Sequence, residues 1–285
     1  MRFLKSIYTV LLVLPFALVA QEKTDSVVAP IKTKLERAAF ESTSLIESQT
    51  NVLNTKGTLQ MTMNHRFGIV NSGPGSNDMI GLWAPANIRL ELSYGITDRI
   101  NVGFATIKDS RLQDFNLKGA IFRQTKDGKT PFSLTYFGNA TYDARPPSNF
   151  VHSSDKWSFF NELIIARRFS RTVSLQLTTS FSHFNYVEAP IKSDLFALGL
   201  GGRIKINPTT ALLLDYNQPV TNYEHNLSKP GMGAGFEFST GSHVFQLLIT
   251  NYRALSPQYN VLNNQTNFFD GKYMIGFNIT RLWHL

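Results

Sequence analysis

The sequence predicts an all-β fold, a closed antiparallel transmembrane barrel of about twelve strands with short periplasmic turns and long extracellular loops. Three observations carry that expectation. From Thr58 onward apolar and polar residues alternate with a period of two. The links between alternating segments switch regularly between short and long. Charged residues make up only 17% of the 285-residue chain while aromatic residues reach 12%, against about 25% charge in an ordinary soluble domain. Apolar residues are thus spread along strand faces.

The first twenty residues, MRFLKSIYTVLLVLPFALVA, place Arg2 and Lys5 before an apolar run from position 7 to 19 and end on Ala20. This is the pattern of a secretory leader. The run is interrupted by Pro15 and is shorter than the roughly 20 residues that a bilayer-spanning helix needs, and no later stretch is long enough either. Loss of Arg2 and Lys5 lowers the formal net charge from +8 to +6. The remaining excess is scattered; only Arg167, Arg168 and Arg171 come close together, at a turn. Nucleic acid is therefore not expected as a partner, whereas outer-membrane lipid and lipopolysaccharide suit an exported basic protein. Cysteine is absent, which excludes disulfides, thiolate metal sites and a cysteine nucleophile.

Residues 21–57 are polar, mixed in charge and rich in Ser and Thr. They read as a periplasmic N-terminal segment, flexible or a partial plug, with a short helix around residues 32–40. Residues 58–285 form the barrel. Leu59, Met61, Met63 and Phe67 share one face, Gln60, Thr62, Asn64 and Arg66 the other. Ile88, Leu90, Leu92 and Tyr94 oppose Arg89, Glu91 and Ser93. Val173, Leu175, Leu177 and Phe181 oppose Ser174, Gln176, Thr178, Ser180 and Ser182. Many segments have the nine to eleven residues that a tilted strand needs to cross hydrocarbon (about 9–11).

Short links are expected at 96–99, 125–130, 167–171, 207–210 and 240–242, and long ones at 71–86, 143–155, 188–194, 218–230 and 252–270. One link, near residues 108–110, should be long by this alternation but is short. An unpaired backbone N–H or C=O in lipid costs several kcal/mol, so the strands must close into a ring. The last segment, GKYMIGFNITRLWHL, fits the closing strand. Tyr273, Ile275, Phe277 and Ile279 face lipid and Trp283 sits at the periplasmic interface. Such a terminal strand also suits recognition by barrel-assembly machinery. A secreted sandwich or lipocalin-like barrel would bury the same apolar face inside.

The stretches HRFG (65–68), YGITDRINVGF (94–104), DLFALGLGGRIK (194–205), STGSHVFQLLITN (239–251) and GFNITR (276–281) resemble a family of membrane-bound β-barrel domains of unknown function found in Bacteroidetes-type Gram-negative bacteria. The resemblance implies an exported barrel located in the cell outer membrane. It supplies no substrate and no catalytic residue.

Residues that could carry chemistry are few. The six histidines fall on separate segments without HxH or HExxH spacing, so no metal site and no cofactor are expected. His65 shares the parity of the lipid-facing residues, near a rim. Ser180, Ser182 and His183 suggest a wall-mounted hydrolase, but Ser182 and His183 are adjacent and project to opposite faces. No catalytic residue is therefore assigned. Glycines at 199, 201 and 202 and at 231, 233 and 235 lie within strands, where they permit curvature or close approach of lumen contents. The informative set is charged: Arg66, Arg89, Glu91, Lys118, Glu162, Arg203, Lys205, Asp215 and Glu237 share the parity of the small polar faces. Facing hydrocarbon they would cost roughly 2–4 kcal/mol each at mid-membrane, so they line the lumen. They either brace the wall as an ion-pair network or favour anionic solutes.

The leading functional expectation is a non-enzymatic barrel acting as a narrow pore or small-solute channel. The alternative is a structural or docking barrel with a closed lumen that binds a periplasmic protein, and an outer-membrane enzyme comes third.

Overall fold

The computed structural model describes residues 34–71, 78–221 and 228–285. The leader expected at 1–20, and residues 21–33 of the N-terminal segment, lie outside them. Among the described residues twelve antiparallel strands close into a barrel: β3 (Thr58–Ile69), β4 (Asn87–Thr97), β5 (Ile100–Ile107), β6 (Leu112–Phe122), β7 (Ser133–Asp143), β8 (Trp157–Arg168), β9 (Val173–Phe184), β10 (Asp194–Lys205), β11 (Thr210–Pro219), β12 (Gly231–Ser239), β13 (His243–Thr250) and β14 (Met274–His284). Two short strands, β1 (Ser44–Leu45) and β2 (Ser48–Gln49), pair with each other inside the ring. Each barrel strand pairs with its sequence neighbours, and β14 closes the ring on β3, with Thr280 opposite Thr62 and His284 opposite Thr58. No edge remains, as the hydrocarbon environment requires.

Facing follows parity. Leu177, Phe196 and Leu247 point outward and are more than half exposed, while Gln176, Ala197 and Gln246 point inward and are buried. The greasy face is thus outside, the inverse of a lipocalin-like barrel. His65 lies on this outer face, stacked on Phe277 at 4.9 Å and edge-on to Phe67 at 4.4 Å. Aromatic rings gather at both rims. Tyr142 and Trp157 meet at 5.1 Å at the loop end, and the Arg281 guanidinium lies 5.0 Å from the Trp283 ring at the turn end. Amphipathic rings and stacked cations are favoured at such interfaces. Tyr273 lies just before β14, with its ring 5.4 Å from Phe268. No helix among the described residues is long and apolar enough to cross a membrane, a statement that leaves strands untouched.

The link between β5 and β6 is only the single 3-10 turn Asp109–Arg111. The largest loop, after β13, carries helix α1 (Pro257–Asn263) and folds back into the mouth of the barrel. Inside the mouth Val261 packs with Phe184, Leu195 and Ala197.

The short helix expected around 32–40 is not found over residues 34–40. The backbone there is extended, because it is captured by the β6–β7 link: the Glu36 amide donates to the Gln124 carbonyl at 2.8 Å, the Lys126 amide donates to the Lys34 carbonyl at 3.0 Å, and Leu35 bridges Thr125. Sheet-type pairing satisfies these groups without the cost of nucleating an isolated helical turn.

Candidate functional site: a plugged lumen

From that capture point the chain enters the barrel, turns at β1–β2 and leaves beside the β4–β5 turn. On the way out the Asn54 side-chain Nδ2 donates to the Ser93 hydroxyl at 3.2 Å, and the Gly57 backbone amide donates to the Gly95 carbonyl at 2.9 Å. Residues 39–52 therefore form a plug.

Two charged wall residues clamp its tip. Arg66 of β3, fully buried, donates to the Glu47 carboxylate at 2.8 Å and to the Ile46 carbonyl at 3.0 Å. Asp215 of β11 accepts hydrogen bonds from the Glu47 and Ser48 amides, each at 3.0 Å, and from the Ser48 hydroxyl at 2.7 Å. Neutral side chains complete the grip. Asn278 donates to the Ile46 carbonyl at 2.7 Å, Gln246 to the Ser44 carbonyl at 3.1 Å and Gln176 to the Gln49 carbonyl at 2.8 Å. Lys118 donates to the Thr43 carbonyl at 2.8 Å. Each such bond contributes a net 0.5–1.5 kcal/mol as a rough figure, more where one partner is charged.

An apolar seat lies beneath. Ala39, Phe40, Leu45 and Ile46 of the plug pack in one buried cluster with wall residues that include Phe137, Phe160, Ile164 and Leu213. These wall residues break the rule that the lumen face is polar, and their place in the cluster explains why. Glycines make room. A Cβ at Gly201 would lie 2.6 Å from Leu45 Cδ2, and one at Gly233 would lie 2.7 Å from Ile46 Cγ2. Ile46 also holds a left-handed φ of 51°, costing about 1–3 kcal/mol for such a residue, which its surroundings must over-determine.

The sequence-derived charges divide into groups. Arg89 donates to Glu91 at 2.8 Å and to Asp114 at 3.2 Å, and Arg203 donates to Glu237 at 2.8 Å; these sets are paired within the wall. Arg203 also lies 3.8 Å from Glu41 of the plug. Lys118 and Glu162 are buried at mid-wall. Lys205 is only half-buried, at the last position of β10 by the turn end. Arg66 and Asp215 find their charged or amide partners in the plug instead. Sequence reasoning missed Asp114, although it shares the parity of Lys118 four positions on. It also missed Glu47, in a segment with no periodicity, and Gln258 of α1. Gln258 donates to Asn139 at 3.0 Å and to Thr141 at 2.8 Å, tying the inserted loop to β7. Beside it, burial pushes the Tyr259 phenol up to about 12, so its ring, edge-on to Phe184 at 5.2 Å, stays neutral.

Cavities open at both ends of the plug, and smaller ones lie along it. A cavity of 480 Å³ opens at the loop end, lined by Arg253, Tyr259, Asn263, Gln265 and Lys272 among others. One of 290 Å³ opens at the turn end beside Leu35, Arg37 and Gln124. Along the plug itself the spaces measure 30 and 20 Å³, room for a water molecule or two at about 10–15 Å³ each.

Among the described residues no three metal-ligating side chains come together. Ser182 points into the lumen, fully buried, while the His183 ring nitrogen meets Asp194 at 2.7 Å on the outer face. The wall therefore brings no serine–histidine pair together at this point.

The sequence model of a family described as "Membrane bound beta barrel domain (DUF5777)" matches residues 40–283. No curated protein matches the chain. Among solved structures, the NanC porin is similar at 9% identity with a TM-score of 0.49, over 80% of this chain and 99% of that one. The KdgM porin is similar at 6% identity and 0.48, over 80% and 99%. An outer membrane channel from Pseudomonas putida F1 is similar at 10% identity and 0.41, over 81% and 97%.

Proposed function

The chain belongs to the family of membrane bound beta barrel domains, and on that premise we propose that it is a non-enzymatic outer-membrane channel closed at rest by its own residues 39–52 and opened by their displacement. The turn end lies in the periplasm and the long loops face outward, in keeping with the short-turn rule for such barrels. The observation that carries this reading is the polar grip on the plug tip. The hydrogen bonds that Arg66, Gln176 and Gln246 donate to the plug and that Asp215 accepts from it can be exchanged for water as the plug leaves, at modest net cost. What the plug vacates is a wall rich in Gln, Asn, Thr and Ser around the apolar seat of Phe137, Phe160, Ile164 and Leu213, whose polar part suits small polar solutes.

The test uses the absence of native cysteine. Ser42 and Thr280 hydroxyl oxygens lie 3.5 Å apart, one on the plug and one on β14. A Ser42→Cys, Thr280→Cys pair should lock the plug when oxidised and free it when reduced. In planar bilayers the wild type should open infrequently, the oxidised pair should stay silent, and reduction should restore openings. Asp215→Ala should raise the open fraction. Silence from all of these, including well-folded Asp215→Ala, would discard the channel. A second reading would then stand: a permanently closed docking barrel, favoured by the close fit of Leu45 and Ile46 over Gly201 and Gly233.

A further inference from the structure

The wall grips the plug by its main chain. Four carbonyls, those of Thr43, Ser44, Ile46 and Gln49, accept from Lys118, Gln246, Arg66 with Asn278, and Gln176. These donors come from five different strands, β6, β13, β3, β14 and β9. Two amides, of Glu47 and Ser48, donate to one carboxylate, Asp215. Any peptide presents the same alternation of acceptors and donors, whatever its side chains. Side-chain recognition is narrower: notches at Gly201 and Gly233 take two successive apolar residues, Leu45 and Ile46, and Arg66 takes the acidic residue that follows.

The charge ledger agrees. Arg89 and Arg203 keep their carboxylate partners in the wall when the plug leaves. Among the described residues, the hydrogen bonds Arg66 makes within the wall go to neutral oxygens, those of Asn278, His65 and Phe277, and Asp215 receives hydrogen bonds from the plug. Withdrawal therefore bares Arg66 and Asp215, which had bracketed a single residue, Glu47, and frees Lys118 from the Thr43 carbonyl. Arg66 and Asp215, set on either side of one residue, favour a molecule carrying acceptors at one end and N–H donors at the other.

We propose that the vacated lumen is a binding site for short peptides, whose main chain replaces that of residues 43–49 and whose favoured sequence is apolar, apolar, acidic. This rests on the plug being displaceable. A peptide that competes for Arg66 and Asp215 then holds the plug out, so that the plug is the site's internal pseudo-ligand.

The full-length Ser44→Cys protein in detergent micelles, reacted with a hydrophilic maleimide, tests it. Ser44 lies on the plug and its hydroxyl has no hydrogen-bond partner, so the substitution removes no contact. Gly241→Cys, in a turn with open space around it, sets the rate for a free thiol. Labelling at residue 44 should be slow in buffer and should rise several-fold, saturably, with the peptide Leu-Ile-Glu-Ser. Glutarate, sucrose and the same peptide N-methylated at its Glu and Ser amides should leave the rate unchanged. Equal acceleration by all four solutes, or by none, would overturn the peptide site while the disulfide-lock conductance still judges the plug. Labelling in plain buffer as fast as at residue 241 would instead overturn the seated plug itself.

Discussion

A Cβ on Gly233 would stand 2.7 Å from Cγ2 of Ile46, so the wall of β12 is hollowed where the plug tip rests. The contact is apolar and close, and it lies beside the hydrogen bonds that hold the Ile46 carbonyl. Filling the hollow should unseat the plug, because the added Cβ falls nearest Ile46, with the Thr250 hydroxyl of β13 farther off at 3.3 Å. Overpacking of this kind costs about 1–3 kcal/mol. Gly233→Val should therefore give normal yields of heat-modifiable barrel together with a higher open fraction in bilayers. Low yield with unchanged conductance would show that Gly233 serves the strand and not the plug.

Arg66 and Glu47 make an enclosed ion pair between wall and plug, with side-chain exposures of 0% and 9%. Breaking such a pair by removing one partner costs about 3–5 kcal/mol, whereas replacing both by apolar groups is often near neutral. Arg66→Met should lower the temperature at which the barrel loses its folded mobility on a gel. Glu47→Leu added to it should recover most of the loss. A double variant as unstable as Arg66→Met alone would place the role of Arg66 in its bonds to Asn278 and the Ile46 carbonyl and not in the charge pair.

The wall was legible because lipid and lumen impose opposite demands on alternate residues. Leu175, Gln176, Leu177 and Thr178 announce their facing without any partner being known. The plug was legible only as an alternative to a flexible segment, and its seat was not legible, for two physical reasons. Its contacts run through main-chain groups, which any residue supplies, and its turn is set by the left-handed Ile46, whose sequence carries no glycine or asparagine to mark it. The apolar wall residues Phe137, Phe160 and Ile164 carry the signal that could have found it. Their parity is inward, which is costly beside water and sensible only beneath an apolar occupant. Likewise the loop after β13 resembles any other long loop until Gln258 is seen among Asn139, Thr141 and Ser158.

Facing also makes neighbouring residues on β9 unequal. Leu177 is 59% exposed on the outer wall and Gln176 is 1% exposed beneath the plug. Leu177→Arg sets a guanidinium against hydrocarbon at a cost of about 2–4 kcal/mol near mid-membrane, and should cut the yield of inserted barrel. Gln176→Arg keeps its charge in the lumen but loses the bond to the Gln49 carbonyl and crowds the plug. It should insert normally and open more often. Equal insertion yields for the two would refute the facing assignment.

The ring closes along β14, whose two edges do different work. On one side it pairs with β13, from Met274 opposite Thr250 to Arg281 opposite His243; on the other it pairs with β3 through residues that include Trp283 opposite Leu59. Removing residues 279–285 strips the lower part of both ladders and leaves backbone groups of β3 and β13 unpaired in hydrocarbon, at several kcal/mol each. It also removes Trp283 and the Arg281 stacked on it, which mark the interface at the turn end. The truncated chain should therefore fail to insert and should give no heat-modifiable form. Replacing Trp283 alone by Phe keeps an aromatic ring and every backbone pair, so it should insert close to normally. A truncated chain that still yields a folded barrel would mean that β3 and β13 can close the ring without this strand.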